Sequence, residues 1–143
     1  MRGVHANDEQ MSGRIRVVIA DDHRLFAESL KLMLEVEQEI DVVGIAADGR
    51  EAVALATLLD PDVVVMDLHM PVLAGIEATA EVRRSAPGVS VVIVTGSTDP
   101  RDAARARAAG AAAYVPKEAS VEDLRETVCM VGRASLERAH RSA

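Results

Sequence analysis

The sequence predicts an α/β domain: a doubly wound, five-stranded parallel sheet with helices on both faces. Short apolar runs rich in Val and Ile alternate five times with segments of helical periodicity. Continuous apolar runs are typical of buried parallel strands, because helices cover both faces of such a sheet. The connections between these strands are expected to be right-handed crossovers.

The first half of the domain is predicted to contain three strands and two helices. Apolar residues from Leu25 to Leu34 recur at spacings of one, three and four, which indicates an amphipathic helix. Asp48-Gly49 marks the turn into the second helix. Asp60-Pro61 ends that helix, because the residue before proline avoids helical backbone angles. The predicted elements are strand Arg16–Ala20, helix Arg24–Glu37, strand Val42–Ala46, a helix ending near Leu59 and strand Asp62–Met66.

The second half is predicted to contain two strands and three helices. The loop after the third strand carries Pro and Gly, and Pro100 is suited to the first turn of a helix. Gly110 is a plausible C-cap, and Ser120 with Asp123 predicts the start of the last helix. The predicted elements are a loop from Leu68 to Gly75 followed by a helix to about Ser85, strand Val91–Val94, helix Arg101–Ala109, a strand ending near Val115 and a last helix to about Arg133.

These elements predict a single domain over residues 14–133. Residues 1–13 are polar and lack periodicity, so we expect a disordered lead there. Residues 134–143 are expected to form a tail or the start of an interdomain linker. A chain of 143 residues is long enough to bury one core.

Composition excludes several classes of function. One Phe, one Tyr and no Trp leave almost no material for base stacking, and a net charge of −7 argues against electrostatic binding of DNA or RNA by the whole chain. The single cysteine, Cys129, excludes an intramolecular disulfide and has apolar neighbours, so we expect a small buried side chain. No apolar stretch approaches the length of a membrane span, and residues Met1–Ser12 are too polar to resemble a signal peptide. We therefore expect a cytoplasmic protein without a membrane partner.

Polar residues follow the predicted strands at one edge of the sheet: Asp21-Asp22, Asp67, Thr95 and Lys117. In an open parallel sheet, functional groups gather at the carboxyl ends of the strands. Carboxylates are ligands that Mg²⁺ prefers, and three of them together would repel one another without a cation. No glycine-rich phosphate loop is present, which argues against a nucleotide hydrolase.

In this order and at these strand ends, the residues resemble the receiver domain of two-component response regulators. The resemblance covers roughly residues 14–133, and its motifs are Asp21-Asp22, Asp67 followed by Met70-Pro71 and Gly75, Thr95-Gly96, and Tyr114 three residues before Lys117. The segment Ala20–Phe26 is similar to the NarL/LuxR-type branch. The resemblance implies a flavodoxin-like fold with strand order 2-1-3-4-5.

The resemblance also implies a role for each residue. Asp67 would accept a phosphoryl group from the phosphohistidine of a sensor histidine kinase. The Mg²⁺ ligands would be Asp21, mainly through water, Asp22, Asp67 and the backbone carbonyl of His69. Lys117 and the Thr95 hydroxyl would contact phosphoryl oxygens, and Thr95 and Tyr114 would form the switch. The domain would promote its own phosphorylation and dephosphorylation without a separate turnover substrate, so it is not expected to be an enzyme.

Other interpretations of these residues remain open. Asp21 could cap the next helix, and Tyr114 could simply pack in a half-buried strand. His69 is expected to be exposed rather than to ligate a metal through its imidazole, and His23 to begin a helix. A different function is a pseudo-receiver that binds partners without phosphorylation. A metal-dependent phosphatase is disfavoured because His69 stands where such an enzyme would need a second Asp.

Two features concern the loop after the last strand and the output. Most receivers have Pro directly after the lysine, but here Pro116 precedes Lys117 and Glu118 follows it. A cis bond without proline costs about 3 kcal/mol, which favours a trans Lys117–Glu118 bond, but the sequence leaves the isomer open and with it the geometry of the last loop. For the output, we expect that phosphorylation favours a homodimer. We also expect that the regulator binds DNA only through an output domain absent from this chain.

Overall fold

The computed structural model describes residues 13–142. The predicted disordered lead, apart from Gly13, lies outside the described residues. Five strands alternate with five helices along the chain. The elements are β1 (Ile15–Ala20), α1 (Arg24–Glu35), β2 (Ile40–Ala46), α2 (Gly49–Leu59), β3 (Val63–Asp67), α3 (Gly75–Ser85), β4 (Ser90–Thr95), α4 (Pro100–Ala108), β5 (Ala113–Pro116) and α5 (Val121–Ser142).

The strands form one parallel sheet in the order β2-β1-β3-β4-β5, as predicted. In the pairing of β3 with β4, Asp67 lies opposite Val94, so Thr95 extends one residue further at the same edge. In the pairing of β4 with β5, Thr95 lies opposite Pro116. This register brings the ends of β3, β4 and β5 together and places Lys117 directly beside them.

Two apolar layers cover the sheet, one on each face. Side chains of a strand point alternately to opposite faces, and β1 divides accordingly. Ile15, Val17 and Ile19 pack with α1 and α5, whereas Val18 and Ala20 pack with α2, α3 and α4. The helices therefore lie on both faces, as the pattern predicts.

The helix starts follow the local sequence. Asp48 accepts a hydrogen bond from the Glu51 backbone N–H at the start of α2, and Asp99 accepts one from Arg101 at the start of α4, where Pro100 occupies the first turn. The Ser120 hydroxyl accepts from the Asp123 backbone N–H and so caps α5.

The last helix is longer than predicted. The sequence predicts an end near Arg133, but α5 continues to Ser142. Beyond Arg133, Ser135 is buried and Leu136 packs against the core layer of α1 and α5. The predicted tail therefore begins as a packed part of the domain.

The loop between β3 and α3 contains a strained residue and a required glycine. Val72 has φ +69°, a left-handed conformation that a β-branched side chain rarely adopts. A Cβ on Gly75 would lie 2.2 Å from the Asp67 carbonyl oxygen. Only glycine therefore lets α3 begin against the backbone of Asp67.

Among the described residues, no helix is both long enough and apolar enough to span a membrane. These residues also contain no cis peptide bond. The Lys117–Glu118 bond, which the sequence left open, is therefore trans. Cys129 is buried, and burial together with the nearby Glu39 carboxylate raises the pKa of its thiol.

Candidate functional site

Carboxylates from the ends of two neighbouring strands form an acidic cluster. One ligand atom from each of Asp21, Asp22, His23 and Asp67 lies within 4.8 Å of the others. Asp67 is the last residue of β3, and Asp21 follows β1, which pairs with β3. The parallel register therefore brings together the three aspartates that the sequence predicts.

The aspartates differ in exposure. Asp67 and Asp21 are buried, with 6% and 3% of their surface exposed, whereas Asp22 is exposed. Burial and the charge of Asp21 raise the pKa of Asp67 above its ordinary value, and Lys117 and the His69 backbone N–H act in the opposite direction. Two buried carboxylates side by side favour a bound cation.

Lys117 places a positive charge between the two buried carboxylates. Its Nζ lies 3.4 Å from Asp21 Oδ2 and 3.5 Å from Asp67 Oδ2. The backbone N–H of Lys117 donates to the Thr95 carbonyl at 2.7 Å, which fixes the end of β5 against β4. The ammonium also lies 4.6 Å from the centroid of the Phe26 ring. The periodicity of the sequence predicts Phe26 on a helix but does not indicate its contact with this site.

Asp21 orders the turn that leads into α1. Its Oδ1 accepts the His23 backbone N–H at 2.8 Å. The N-cap of α1 is His23, and this N-cap has no side-chain capping bond. The structure therefore does not support the alternative in which Asp21 caps the helix.

His23 and His69 differ in their relation to the cluster. His23 begins α1 as expected, but its Nδ1 also lies 3.2 Å from Asp21 Oδ1 and 3.4 Å from Asp22 Oδ1. This contact is not among the predictions from the sequence, although the two carboxylates directly before the histidine are a signal for it. The His69 side chain is exposed, as expected, and its imidazole is not part of the cluster.

Thr95 and Tyr114 lie beside the cluster at the ends of β4 and β5. Thr95 is fully buried, and its hydroxyl accepts the Ser97 backbone N–H at 3.0 Å. The Tyr114 hydroxyl is buried without a hydrogen-bond partner among residues 13–139. Burial raises the pKa of Tyr114 and the Asp102 charge adds to the rise, whereas the Ser97 and Thr95 hydroxyls, which lie near the phenol but outside hydrogen-bond geometry, oppose it.

The arrangement suits chemistry on an anionic group. A buried carboxylate oxygen is available as a nucleophile, an ammonium stands beside it, and oxygen ligands for a hard cation surround it. The part of the chain that the structure describes places no glycine-rich loop around the cluster, so the site acts on an anion through charge and positioning.

Comparison with known proteins agrees with this geometry. Residues 17–129 match the family model of the response regulator receiver domain. The chain is 35% identical over 127 residues to the transcriptional regulatory protein DegU of Brevibacillus brevis, a match that covers 89% of this chain and 54% of that protein. It is 34% identical over 119 residues to the response regulator protein VraR of Staphylococcus aureus, which covers 83% of this chain and 57% of that protein. The chain thus spans about half the length of these curated relatives.

Solved structures show the same relationship. The receiver domain of a NarL response regulator from Mycobacterium tuberculosis has a TM-score of 0.80 at 30% identity, covering 84% of this chain and 97% of that one. A LuxR-family two-component response regulator from an Aurantimonas species has a TM-score of 0.81 at 32% identity, covering 85% and 86%. The acidic cluster, the strand order and these matches agree, and the chain belongs to the response regulator receiver domain family, in its NarL/LuxR-type branch.

Proposed function

We propose that Asp67 accepts a phosphoryl group from the phosphohistidine of a sensor histidine kinase, in a Mg²⁺-dependent reaction that switches an output. The single observation that carries this proposal is the position of Asp67. It is the buried carboxylate at the end of the central strand, with the Lys117 ammonium 3.5 Å from its Oδ2.

The chemistry is a transfer between two nucleophiles. An Asp67 carboxylate oxygen forms a bond to phosphorus, and the phosphorus–nitrogen bond of the kinase phosphohistidine breaks. The imidazole leaves with the electron pair of that bond. Lys117 neutralises negative charge on the phosphoryl oxygens, and the Thr95 hydroxyl donates a hydrogen bond to one of them. The domain thus promotes its own phosphorylation mainly by positioning and charge, and hydrolysis of the acyl phosphate returns it to the initial state.

The residues present fit a magnesium ion. Carboxylate oxygens of Asp21, Asp22 and Asp67 approach one another within 4.8 Å, and exposure of Asp22 leaves room for water ligands. Asp22 and Asp67 would bind the ion directly, Asp21 mainly through water, and the His69 backbone carbonyl would complete the protein ligands. The ion would supply positive charge beside the transferred group.

The output side of the proposal involves Thr95 and Tyr114. A dianion on Asp67 would draw the Thr95 hydroxyl inward, and the buried Tyr114 hydroxyl, which makes no hydrogen bond within the described region, costs little to move. In this proposal the loop after β4, α4 and β5 change together. The α4 helix buries only Ala106, so few contacts oppose such a shift.

The partners follow from the same proposal. The phosphodonor is a sensor histidine kinase, the domain acts in the cytoplasm, and DNA is reached only through a separate output domain. Phosphorylation favours a homodimer. The exposed face of α5 carries charges of both signs, including Glu126 and Arg133, which suits a weak and salt-sensitive contact.

Intact mass after incubation with Mg²⁺ and acetyl phosphate tests the proposal. The wild-type protein should gain the mass of one phosphoryl group, and Asp67→Asn should gain none. Asp22→Ala should lose both the gain and most of its Mg²⁺ affinity. Asp41→Asn is the matched control, because Asp41 lies on β2 outside the cluster, and it should label like wild type.

Two outcomes would overturn parts of the proposal. Full labelling of Asp67→Asn would show that another residue accepts the group. A wild-type protein that folds and binds a partner but never labels would favour the phosphorylation-independent interaction module instead.

A further inference from the structure

A cavity lies at the amino-terminal end of β4, the end of the strands opposite the acidic cluster. It has a volume of about 360 Å³ and is lined by Arg83, Arg138, Ser90, Gly110, Met130 and Val131, among others. Ser90 is the first residue of β4 and Thr95 is the last. Five residue steps along a strand separate these residues by about 17 Å. The cavity is therefore distinct from the phosphorylation site.

Arg83 is held rigidly in this cavity. Its Nη1 donates to the carbonyls of Pro87 at 2.9 Å and Val89 at 2.6 Å, which uses both hydrogens of that nitrogen. The side-chain stem passes over Gly110: a Cβ there would lie 2.8 Å from Arg83 Cγ and 3.5 Å from Nε. The remaining donors, Nε and Nη2, form the planar fork that binds oxyanions in a bidentate manner.

Arg138 and Ser90 supply further donors. Arg138 Nη2 donates to Ser90 Oγ at 3.1 Å. Ser90 is 95% buried, since 5% of its surface is exposed, and its hydroxyl hydrogen has no acceptor among residues 13–139. This hydrogen is free to reach a ligand. Arg138 belongs to the part of α5 beyond its predicted end, so the longer helix completes the cavity.

The positive charge of the cavity has no carboxylate partner among the described residues. Neither Arg83 nor Arg138 forms an ion pair with a carboxylate within the part of the chain that the structure describes, although other arginines such as Arg84 and Arg133 do. Two guanidinium groups line one small cavity in a chain of net charge −7. Two positive charges placed close together favour the binding of an anion between them.

We propose that this cavity binds the phosphate group of a small molecule. A tetrahedral dianion matches two guanidinium groups and a hydroxyl donor better than a planar carboxylate does, because its oxygens point in several directions. The apolar side of the cavity, formed by Met130 and Val131, can hold a short organic substituent of a phosphomonoester.

Amide chemical shifts of the full chain test this proposal, with inorganic phosphate as the probe. The titration is run without Mg²⁺, and phosphate replaces chloride so that the ionic strength stays constant. We expect saturable shifts at Ser90, Gly110 and residues 134–138, and smaller ones at Asp21 and Asp67. Phenyl phosphate is the second probe. If it binds more tightly than inorganic phosphate, the ligand of the cavity is an organic phosphomonoester. If the two bind equally, the ligand is the free phosphate anion.

Matched arginine variants identify the donors. Arg138→Gln keeps a good helix former at an exposed position and should weaken phosphate binding about tenfold, the cost of losing a charge-assisted contact. Arg84→Gln removes the same charge beside Arg83 but outside the cavity, and binding should stay within about twofold of wild type. Ser90→Ala should weaken binding about threefold.

Three results would overturn the proposal. Shifts that chloride reproduces would indicate a general salt effect. Equal weakening by Arg138→Gln and Arg84→Gln would indicate attraction by net charge alone. Saturable shifts confined to the Asp67 region would place the anion in the phosphorylation site.

Discussion

Lys117 faces Phe26 on one side and two carboxylates on the other. Its ammonium lies 4.6 Å from the ring centroid and 3.5 Å from Asp67 Oδ2. Phe26 belongs to α1 and Lys117 follows β5, so this contact joins distant parts of the chain across the site. A ring face attracts a cation and limits its movement, so Phe26 positions the charge that a phosphoryl group would meet.

Replacement of Phe26 should therefore slow phosphorylation without unfolding the domain. A cation–π contact contributes about 0.5–2 kcal/mol, which corresponds to a rate loss between about twofold and thirtyfold. Phe26→Leu should show this loss when the mass gain with acetyl phosphate is followed over time. Phe26→Tyr keeps the ring and should label at nearly the wild-type rate. Equal rates for Phe26→Leu and wild type would contradict the positioning role.

Removal of the Asp67 charge should stabilise the protein in the absence of Mg²⁺. The pKa of Asp67 is raised by burial and by the charge of Asp21, so ionisation of this carboxyl disfavours the folded state. Asp67→Asn should raise the midpoint of thermal unfolding at pH 7 by a few degrees, the size expected for about 1 kcal/mol. Saturating Mg²⁺ should stabilise wild type more than the variant.

The sign of the pH dependence follows from linkage. A raised pKa means that the native state binds the proton more tightly than the unfolded chain does. The stability contributed by the protonated carboxyl is fully present below pH about 4 and is lost as the pH rises through the raised value. The gain in stability of Asp67→Asn over wild type should therefore disappear at acid pH. An advantage that grows as the pH falls would contradict this account.

Relief of the strain at Val72 should stabilise the loop after the phosphorylation site. Val72 has φ +69° and an exposed side chain, so glycine relieves strain of about 1–2 kcal/mol and loses little packing. Because glycine also gains freedom in the unfolded chain, we expect a net increase of about 1 kcal/mol in the free energy of unfolding. Val36→Gly is the matched control, since Val36 is similarly exposed at φ −57°. That control should destabilise the protein.

The Tyr114 hydroxyl should contribute nothing to stability in the unphosphorylated state. It is buried without a hydrogen-bond partner within residues 13–139, so Tyr114→Phe should leave the free energy of unfolding unchanged or raise it by up to about 1 kcal/mol. Thr95→Val removes a hydroxyl that accepts the Ser97 N–H and should cost about 1 kcal/mol. Chemical denaturation measures both, and a marked loss in Tyr114→Phe would reveal a missed partner.

Local patterns in the sequence predict most of the fold and the main site residues. Apolar runs such as Val63–Met66 identify the strands, and the parallel arrangement brings Asp21, Asp67 and Lys117 to one edge. Strand ends are short-range features, and a single rule about parallel sheets then places them together. This is why the acidic cluster could be predicted without coordinates.

Features that depend on side-chain packing between distant segments could not be predicted in this way. The ring of Phe26 beneath Lys117 and the pairing of Arg138 with Ser90 join residues far apart in sequence. The predicted end of α5 lies too early in the chain because polar, Arg-containing sequence follows Arg133. The helix continues because Ser135 is buried and Leu136 packs against the core. A helical wheel extended past Arg133 would have suggested these contacts.

The chain contains one tyrosine and no tryptophan. Its near-ultraviolet absorption and fluorescence therefore come almost entirely from Tyr114, whose hydroxyl is buried next to the Thr95 region. Any rearrangement that brings this phenol into water changes its spectrum, without a label or an engineered probe. The protein thus carries an intrinsic optical reporter at its proposed switch, and addition of beryllofluoride in a simple fluorimeter would reveal whether, and how fast, that switch moves.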